Sequence, residues 1–284
     1  MAAHPPVRTK LIAVITATAA ALFLRAWIQL SLLSAGFQDD FAADLSYLVV
    51  PPVLLVLLFP LWRYDGAFIT RLYRRDGLNI RVAIIAIALG CLLRLAAWCE
   101  LIAGVSFGWY RNIEAAAITG PTFAFNCPTP SAIALGILVM VVLVPIIEET
   151  INRGLIQTWL SDKGAVVAIS ASALIFMLSH RPSSWGFAFA AGVVFGIQYW
   201  RNGTLWPSLV THATINGVIQ LDWRCLQGHW NPPAAEIPKW GPGIASLLGL
   251  VLAAVLIGWL LRKKTGVCEH PGNKRVTERL RPFR

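Results

Sequence analysis

Apolar runs about twenty residues long recur along the whole of this 284-residue chain. A helix needs roughly 20 mostly apolar residues to cross about 30 Å of hydrocarbon. Lipid offers no partner to an unpaired backbone group, so such runs predict an all-α, polytopic membrane helix bundle of about eight transmembrane helices. We place them at approximately 11–33, 46–62, 80–106, 132–158, 165–181, 186–200, 204–221 and 241–261.

The composition supports a membrane protein over a soluble one. Hydrophobic residues make up 57% of the chain, charged residues only 13%, and the mean hydropathy is +0.64. A soluble globule of this length rarely carries so few charges. Without a repeat or a soluble segment, the sequence predicts a single transmembrane domain over residues 1–261 and a basic cytoplasmic tail over 262–284.

The distribution of positive charge predicts the orientation of the chain. The tail is rich in Lys and Arg, and so is the loop after the second run, whereas the loops around Asp39, Cys127 and Trp230 are nearly free of positive charge. Both termini are therefore expected in the cytoplasm. The net charge of +10 reflects this orientation and an attraction to anionic lipid, so we expect the lipid bilayer as a partner and no nucleic acid.

Two cysteines fall in loops expected on the outer side, Cys127 and Cys225. In an oxidising compartment they could form a disulfide across that surface, and two free thiols are equally compatible with the sequence.

The stretch "VPIIEETINRGLIQTWL", residues 144–160, places two carboxylates and an arginine within an apolar run. Residues four apart on a helix share a face, so Glu149 is expected to form a structural ion pair with Arg153. Glu148 lies about 100° away, on the face shared with Asn152. A carboxylate within the membrane and without a cation is energetically costly, which indicates a functional role. Acting as a general base is a role that suits such a group.

Two further stretches, "FMLSH" (176–180) and "HATIN" (212–216), place polar groups within later runs. Counting residues from the turns "SDKG" and "RNGT" places Glu148 and His180 at depths of roughly 20 and 24 Å, and His212 and Asn216 at roughly 14 and 20 Å. The four side chains are therefore predicted to meet in one layer inside the membrane. Together they offer a base that can activate water and donors that can stabilise an oxyanion, and peptide hydrolysis requires both.

In order and internal spacing, "EETINR", "FMLSH" and "HATIN" resemble the motifs EExxxR, FxxxH and HxxxN of the CAAX-processing and bacteriocin-processing protease family (CPBP, or Abi). Members of this family are polytopic intramembrane endopeptidases. The resemblance covers about residues 130–222, which would form the protease core, and it implies a membrane-anchored protein or peptide substrate.

The resemblance also implies roles for individual residues. Glu148 would activate the attacking water with His180 beside it, while His212 and Asn216 would complete the site and orient water or stabilise the oxyanion. Glu149 and Arg153 would support the structure. One position departs from the family pattern, because Asn152 stands where an aromatic residue, commonly Phe, usually precedes the arginine. The substrate class is the property that this departure affects most.

Three alternatives remain open from the sequence. Glu148, His180 and His212 could hold zinc in a metal-dependent version of the same protease, although no HExxH pair is present, and we expect no cofactor. Buried charges, among them Arg25 and Arg94, also occur in polytopic transporters. Finally, the fold could serve as a non-catalytic immunity protein.

Overall fold

The computed structural model describes residues 6–60, 72–74, 78–107, 123–125, 130–180, 182–224, 226–228 and 241–262. In these ranges the chain is a helical bundle with one short antiparallel ribbon, in which Phe123 pairs with Gly228. The elements are α1 (Val7–Ser34), α2 (Asp39–Tyr47), α3 (Val50–Leu57), α4 (Ile80–Ser106), β1 (Phe123–Phe125), α5 (Pro130–Gln157), α6 (Ala165–Leu178), α7 (Trp185–Asn202), α8 (Trp206–Arg224), β2 (Leu226–Gly228) and α9 (Gly241–Arg262).

The predicted polytopic helical membrane bundle is confirmed. Among the described residues, four helices are long and apolar enough to cross a membrane: Arg8–Ser34, Ile80–Gly104, Pro130–Gln157 and Gly243–Arg262. The chain is an integral membrane protein. The count of eight spans and the cytoplasmic position of both termini stay predictions. Cys127, Cys225 and the tail beyond Arg262 lie outside the described residues.

Two of the predicted spans have the wrong boundaries. In place of one helix over 46–62, the structure has α2 and α3, with Pro51 and Pro52 in the first turn of α3. Proline has no N–H and disfavours a helical residue before it, so helices tend to break ahead of it. The run predicted at 165–181 ends at Leu178, ahead of the turn Pro182–Ser184. His180 therefore lies in the turn after α6, not on its helical face.

Helix α5 is regular only in part. Its α-helical stretch Val144–Glu149 lies between two π-helical stretches, Ile137–Leu143 and Thr150–Gln157. Pro145 follows the first of these stretches and has no N–H group to donate to a preceding carbonyl. Thr158 directly follows the second stretch, and its Oγ1 donates to the carbonyl of Arg153 at 3.1 Å. π-Helical turns are frequent at functional sites, and here they flank both glutamates.

Helices α6 and α7 approach closely through small residues. A Cβ on Gly192 would come within 3.0 Å of Ala173 Cα, and one on Gly196 within 2.9 Å of Ile169 Cγ2. Small residues four apart allow this approach between membrane helices. In the same way, Gly90 of α4 packs closely against Thr214 of α8.

The N-terminal helices pack against the second half of α5 through aliphatic contacts. Residues of α1 (Val14, Ala21), of α3 (Leu54) and of α5 (Ile151, Leu155) belong to one buried apolar cluster. This packing places α1 beside the face of α5 that carries Glu148.

Candidate active site

The ion pair predicted from the spacing of Glu149 and Arg153 is present. Arg153 Nη1 donates to Glu149 Oε1 at 3.0 Å, and neither side chain has any exposed surface. The other end of the guanidinium, Nη2, donates to the carbonyl of Gly192 in α7 at 3.0 Å. Its carbon lies 4.7 Å from the ring centre of Phe176 and 5.1 Å from that of Phe195, distances typical of cation–π contacts. One cation therefore ties α5 to both α6 and α7.

His212 of α8 connects the two glutamates. Its Nδ1 lies 3.1 Å from Glu149 Oε1, and its Nε2 lies 3.7 Å from Glu148 Oε2. The imidazole stacks on the ring of Phe195 with centroids 5.0 Å apart. When the Nδ1–H group of His212 donates a hydrogen bond to Glu149, the Nε2 of the neutral ring carries no proton. This unprotonated Nε2 is the ring nitrogen nearer to Glu148.

Glu148 is set apart from the ion pair next to it. About a fifth of its side chain is exposed, whereas Glu149 is fully buried. In both carboxylates Oε2 is buried without a hydrogen-bond partner in the part of the chain that the structure describes. Asn152 Nδ2 donates at 2.8 Å to the backbone carbonyl of Glu148, so Asn152 secures the helix at this position without occupying the carboxylate.

His180 joins the cluster through an aromatic ring. Its Nδ1 lies 2.8 Å from the carbonyl of Phe176, which leaves Nε2 available, and its ring centroid is 4.6 Å from that of Phe176. The centroid of His212 is 5.7 Å from the same phenyl ring. Among the contacts between described residues, none joins His180 directly to Glu148. Phe176 therefore lies between the two imidazoles.

Asn216 is anchored to α5 by a backbone contact. Its Nδ2 donates at 2.7 Å to the carbonyl of Met140, in the first π-helical stretch of α5. Met140 precedes Glu148 by about two turns of helix. Of the four groups predicted to share one layer, the structure brings Glu148 and His212 within 3.7 Å of each other, places His180 across Phe176 from His212, and anchors Asn216 to the helix that carries Glu148.

A cavity of about 320 Å³ borders Glu148 and Asn152. Its remaining wall is mostly aliphatic, with hydroxyl groups from Thr18, Tyr47 and Ser179. Nearly half of the lining residues come from the N-terminal helices: Val14, Ile15, Thr18, Ala19, Leu22, Tyr47, Val50 and Leu54. A carboxylate with a free oxygen therefore faces a space of the size that accommodates apolar side chains.

Three or more His, Cys, Asp or Glu side chains do not converge on a possible metal position anywhere in the described ranges. Of the three zinc ligands considered from the sequence, Glu148 and His212 are close to each other, and His180 is not in contact with that pair. The donor set in this conformation is two ligands, fewer than the three protein ligands of a catalytic zinc site.

Sequence reasoning missed two contributors to this site. Phe195 stacks on His212 and lies under Arg153, and Gln157 Nε2 donates at 2.9 Å to the carbonyl of Gly196. The segment "GVVFG" (192–196) carries a signal for both, since small residues four apart mark a close helix contact. The sequence does not indicate which side chains such a contact brings together.

Comparisons with known proteins agree with this part of the molecule. The model of the family described as type II CAAX prenyl endopeptidase Rce1-like matches residues 130–218, about a third of the chain, from the start of α5 to most of α8. No curated protein and no solved structure matches. The matched segment contains both glutamates, Arg153, both histidines and Asn216. Residues 130–218 are therefore similar to the Rce1-like type II CAAX prenyl endopeptidases, which confirms the resemblance that the three motifs indicated.

Proposed function

We propose that this protein is an intramembrane endopeptidase that hydrolyses a peptide bond of a membrane-associated protein or peptide, with Glu148 as the base that activates water. One observation carries the proposal: Glu148 borders a cavity of about 320 Å³, and its Oε2 is buried without a hydrogen-bond partner among the described residues, 3.7 Å from His212 Nε2. An acceptor left free in this position is poised for a ligand such as water, since unpaired buried oxygens are costly otherwise.

The distance between Glu148 and His212 suits an atom held between them. At 3.7 Å the two side chains are too far apart for a direct hydrogen bond, and a water oxygen beside them can reach both. In the proposed step, Glu148 takes a proton from this water as its oxygen attacks the peptide carbonyl carbon. The same proton passes to the departing amine as the C–N bond breaks. Glu149 keeps the His212 ring in place through Nδ1.

Asn216 would act on the carbonyl side of the reaction and His180 on the side of the attacking water. The Nδ1–H of His180 donates to the carbonyl of Phe176, so Nε2 of the neutral ring is an acceptor that can orient the attacking water. One N–H of the Asn216 amide is donated to Met140, and the second remains for a developing oxyanion. One oxyanion donor contributes about 2.7 to 4 kcal/mol to a transition state, so Asn216→Ala should slow cleavage by about 100-fold or more. We expect His180→Ala to slow cleavage as well, because the water loses an acceptor that orients it.

The test is cleavage of a panel of membrane-tethered peptides by the reconstituted full-length protein. Products of the wild type and of Glu148→Gln are mapped by mass spectrometry. We expect a defined cleavage site with the wild type and no product with the variant. Cleavage at the same site and rate by Glu148→Gln would show that another group, or a contaminating protease, performs the reaction.

A metal-free site is part of this proposal. Glu148 and His212 provide two donors, and the nearest further carboxylate, Glu149, is already engaged by Arg153 and His212. We expect the purified protein to keep its activity in a strong chelator. Loss of activity in the chelator and its return on addition of zinc would replace this mechanism with a zinc-dependent one.

A further inference from the structure

Arg25 lies in α1, within a helix that is long and apolar enough to cross a membrane. None of the ion pairs between described residues includes it, and its Nε is buried without a hydrogen-bond partner. The guanidinium lies 3.9 Å from the ring centre of Tyr47 in α2. A cation at bilayer depth costs a few kcal/mol or more unless it is paired, so such residues ordinarily face a partner or a pathway.

The position of Arg25 relates it to the cavity beside Glu148. Ile15, Thr18 and Leu22 line that cavity, and Arg25 follows on the same face of α1 at helical spacing. It lies about 4.5 Å further along the helix axis than Leu22. Tyr47, against which it stacks, is itself a lining residue. Arg25 is thus at one end of the cavity, next to its wall.

Tyr47 lies against the guanidinium of Arg25, and it lines the same cavity as Glu148. A peptide in the cavity would therefore have a carboxylate base along its length and a guanidinium at one end. The anionic groups of a peptide are carboxylates, and guanidinium binds carboxylate through two parallel hydrogen bonds.

We propose that Arg25 is a specificity-determining residue that binds a carboxylate of the peptide substrate, either its C-terminus or an acidic side chain, at the Tyr47 end of the cavity. This inference rests on the proposed endopeptidase function. It adds a selectivity that the segment similar to the Rce1-like proteins does not carry, because Arg25 and Tyr47 both precede residue 130. The Tyr47 ring lies 3.9 Å from the guanidinium carbon, and the Nε of Arg25 has no hydrogen-bond partner among the described residues.

The experiment compares three versions of one cleavable peptide in phosphatidylcholine vesicles that contain the full-length protein. The first has a free C-terminus and one acidic residue, the second a C-terminal amide, and the third Gln for the acidic residue. For the wild type we expect kcat/KM to fall about tenfold or more when the recognised carboxylate is removed, the size typical of a hydrogen bond to a charged group. The peptide that shows the loss identifies which carboxylate binds.

Variants assign the effect to the arginine. Arg25→Gln should cleave all three peptides at one similar, low rate, whereas Arg25→Lys should retain part of the preference. Arg94→Gln is the matched control, since Arg94 lies in α4 over Trp98 and away from this cavity. Comparing peptides within one protein preparation cancels any loss of folded protein.

The outcomes separate this inference from the proposed function. Equal cleavage of the three peptides by the wild type, with no cleavage by Glu148→Gln, would overturn the role of Arg25 and leave the endopeptidase in place. The assay is repeated with anionic lipid added to the phosphatidylcholine vesicles. A uniform loss in Arg25→Gln that depends on the added anionic lipid, while the wild type shows no preference among the peptides, would assign the arginine to a lipid phosphate. Absence of any Glu148-dependent cleavage would overturn the proposed function itself.

Discussion

Helices α5 to α8 are held together by different contacts from those that join helices α1 and α3 to α5. The fully buried side chains of α5 include Glu149, Arg153 and Gln157, each bonded to a neighbouring helix or to another member of the set. The contact between α1, α3 and α5 is instead a cluster of apolar side chains, most of them aliphatic. Both regions border the same cavity.

The polar contacts fix the positions of chemical groups, whereas the apolar contacts set the shape of the cavity wall. A buried polar network has few alternative arrangements, because every unpaired member costs free energy, so it holds reacting groups in place. Aliphatic walls tolerate changes of shape at smaller cost. In the proposed reaction, the region similar to known endopeptidases would supply the reacting groups, and the region outside that similarity would supply much of the cavity wall. Four substitutions test this comparison.

The largest effect is expected from Glu148→Gln. Removal of a general base lowers the rate by about 10²- to 10⁴-fold. Stability should change little, because Glu148 Oε2 has no partner to lose among the described residues. Cleavage rate and thermal unfolding are measured together, with Glu100→Gln in α4 as the control. An unfolding temperature that drops sharply would mean that Glu148 belongs to the structural network, as Glu149 does.

Arg153→Met tests the polar network. It leaves Glu149 buried without its cation, and breaking a buried pair in this way costs about 3 to 5 kcal/mol. Denaturation of the purified protein measures the loss, with Arg201→Met, an exposed arginine of α7, as the control. The double variant Arg153→Met with Glu149→Leu should recover part of it. No recovery would mean that the guanidinium acts through Gly192 and the aromatic rings rather than through the carboxylate.

Gly196→Val tests the close approach of α6 and α7. The added carbon would lie 2.9 Å from Ile169 Cγ2 and 3.0 Å from Gln157 Oε1, and overpacking of this kind costs about 1 to 3 kcal/mol. The free energy of unfolding should fall by that amount, and cleavage should fall with it as His212 is displaced. Gly258→Val in α9, where a Cβ meets nothing within 4 Å, is the control. Equal effects at both glycines would contradict the close contact.

Leu22→Ala should give the smallest effect. It enlarges the cavity at the N-terminal wall without touching Glu148, so binding of substrate and transition state should weaken together. We expect KM to rise about threefold to tenfold with kcat nearly unchanged, from lost van der Waals contacts. Leu248→Ala, on an exposed face of α9, should change neither constant. A fall in kcat alone would place the N-terminal wall within the reacting geometry.

Two features follow from the sequence alone: the helical membrane bundle and the pairing of Arg153 with Glu149. Apolar runs predict spans because lipid accepts only backbone that is hydrogen-bonded internally, and helix pitch alone brings residues four apart together. The main errors in the predicted spans lie next to prolines. Pro51 and Pro52 lie where one predicted span is divided into two helices. Helix α6 ends early, ahead of Pro182, so His180 lies in a turn.

Three features depend on the tertiary structure and could not be predicted from local patterns. His212 bridges the two glutamates, the ring of Phe195 stacks on that of His212, and α1 forms part of the cavity wall. Depth counting placed His212 near the level of Glu148, but depth leaves the rotation of each helix about its axis open. Packing sets that rotation, here through Gly192 and Gly196 and the groups that bond to their carbonyls. These contacts join residues about 40 positions apart, beyond the reach of any local pattern.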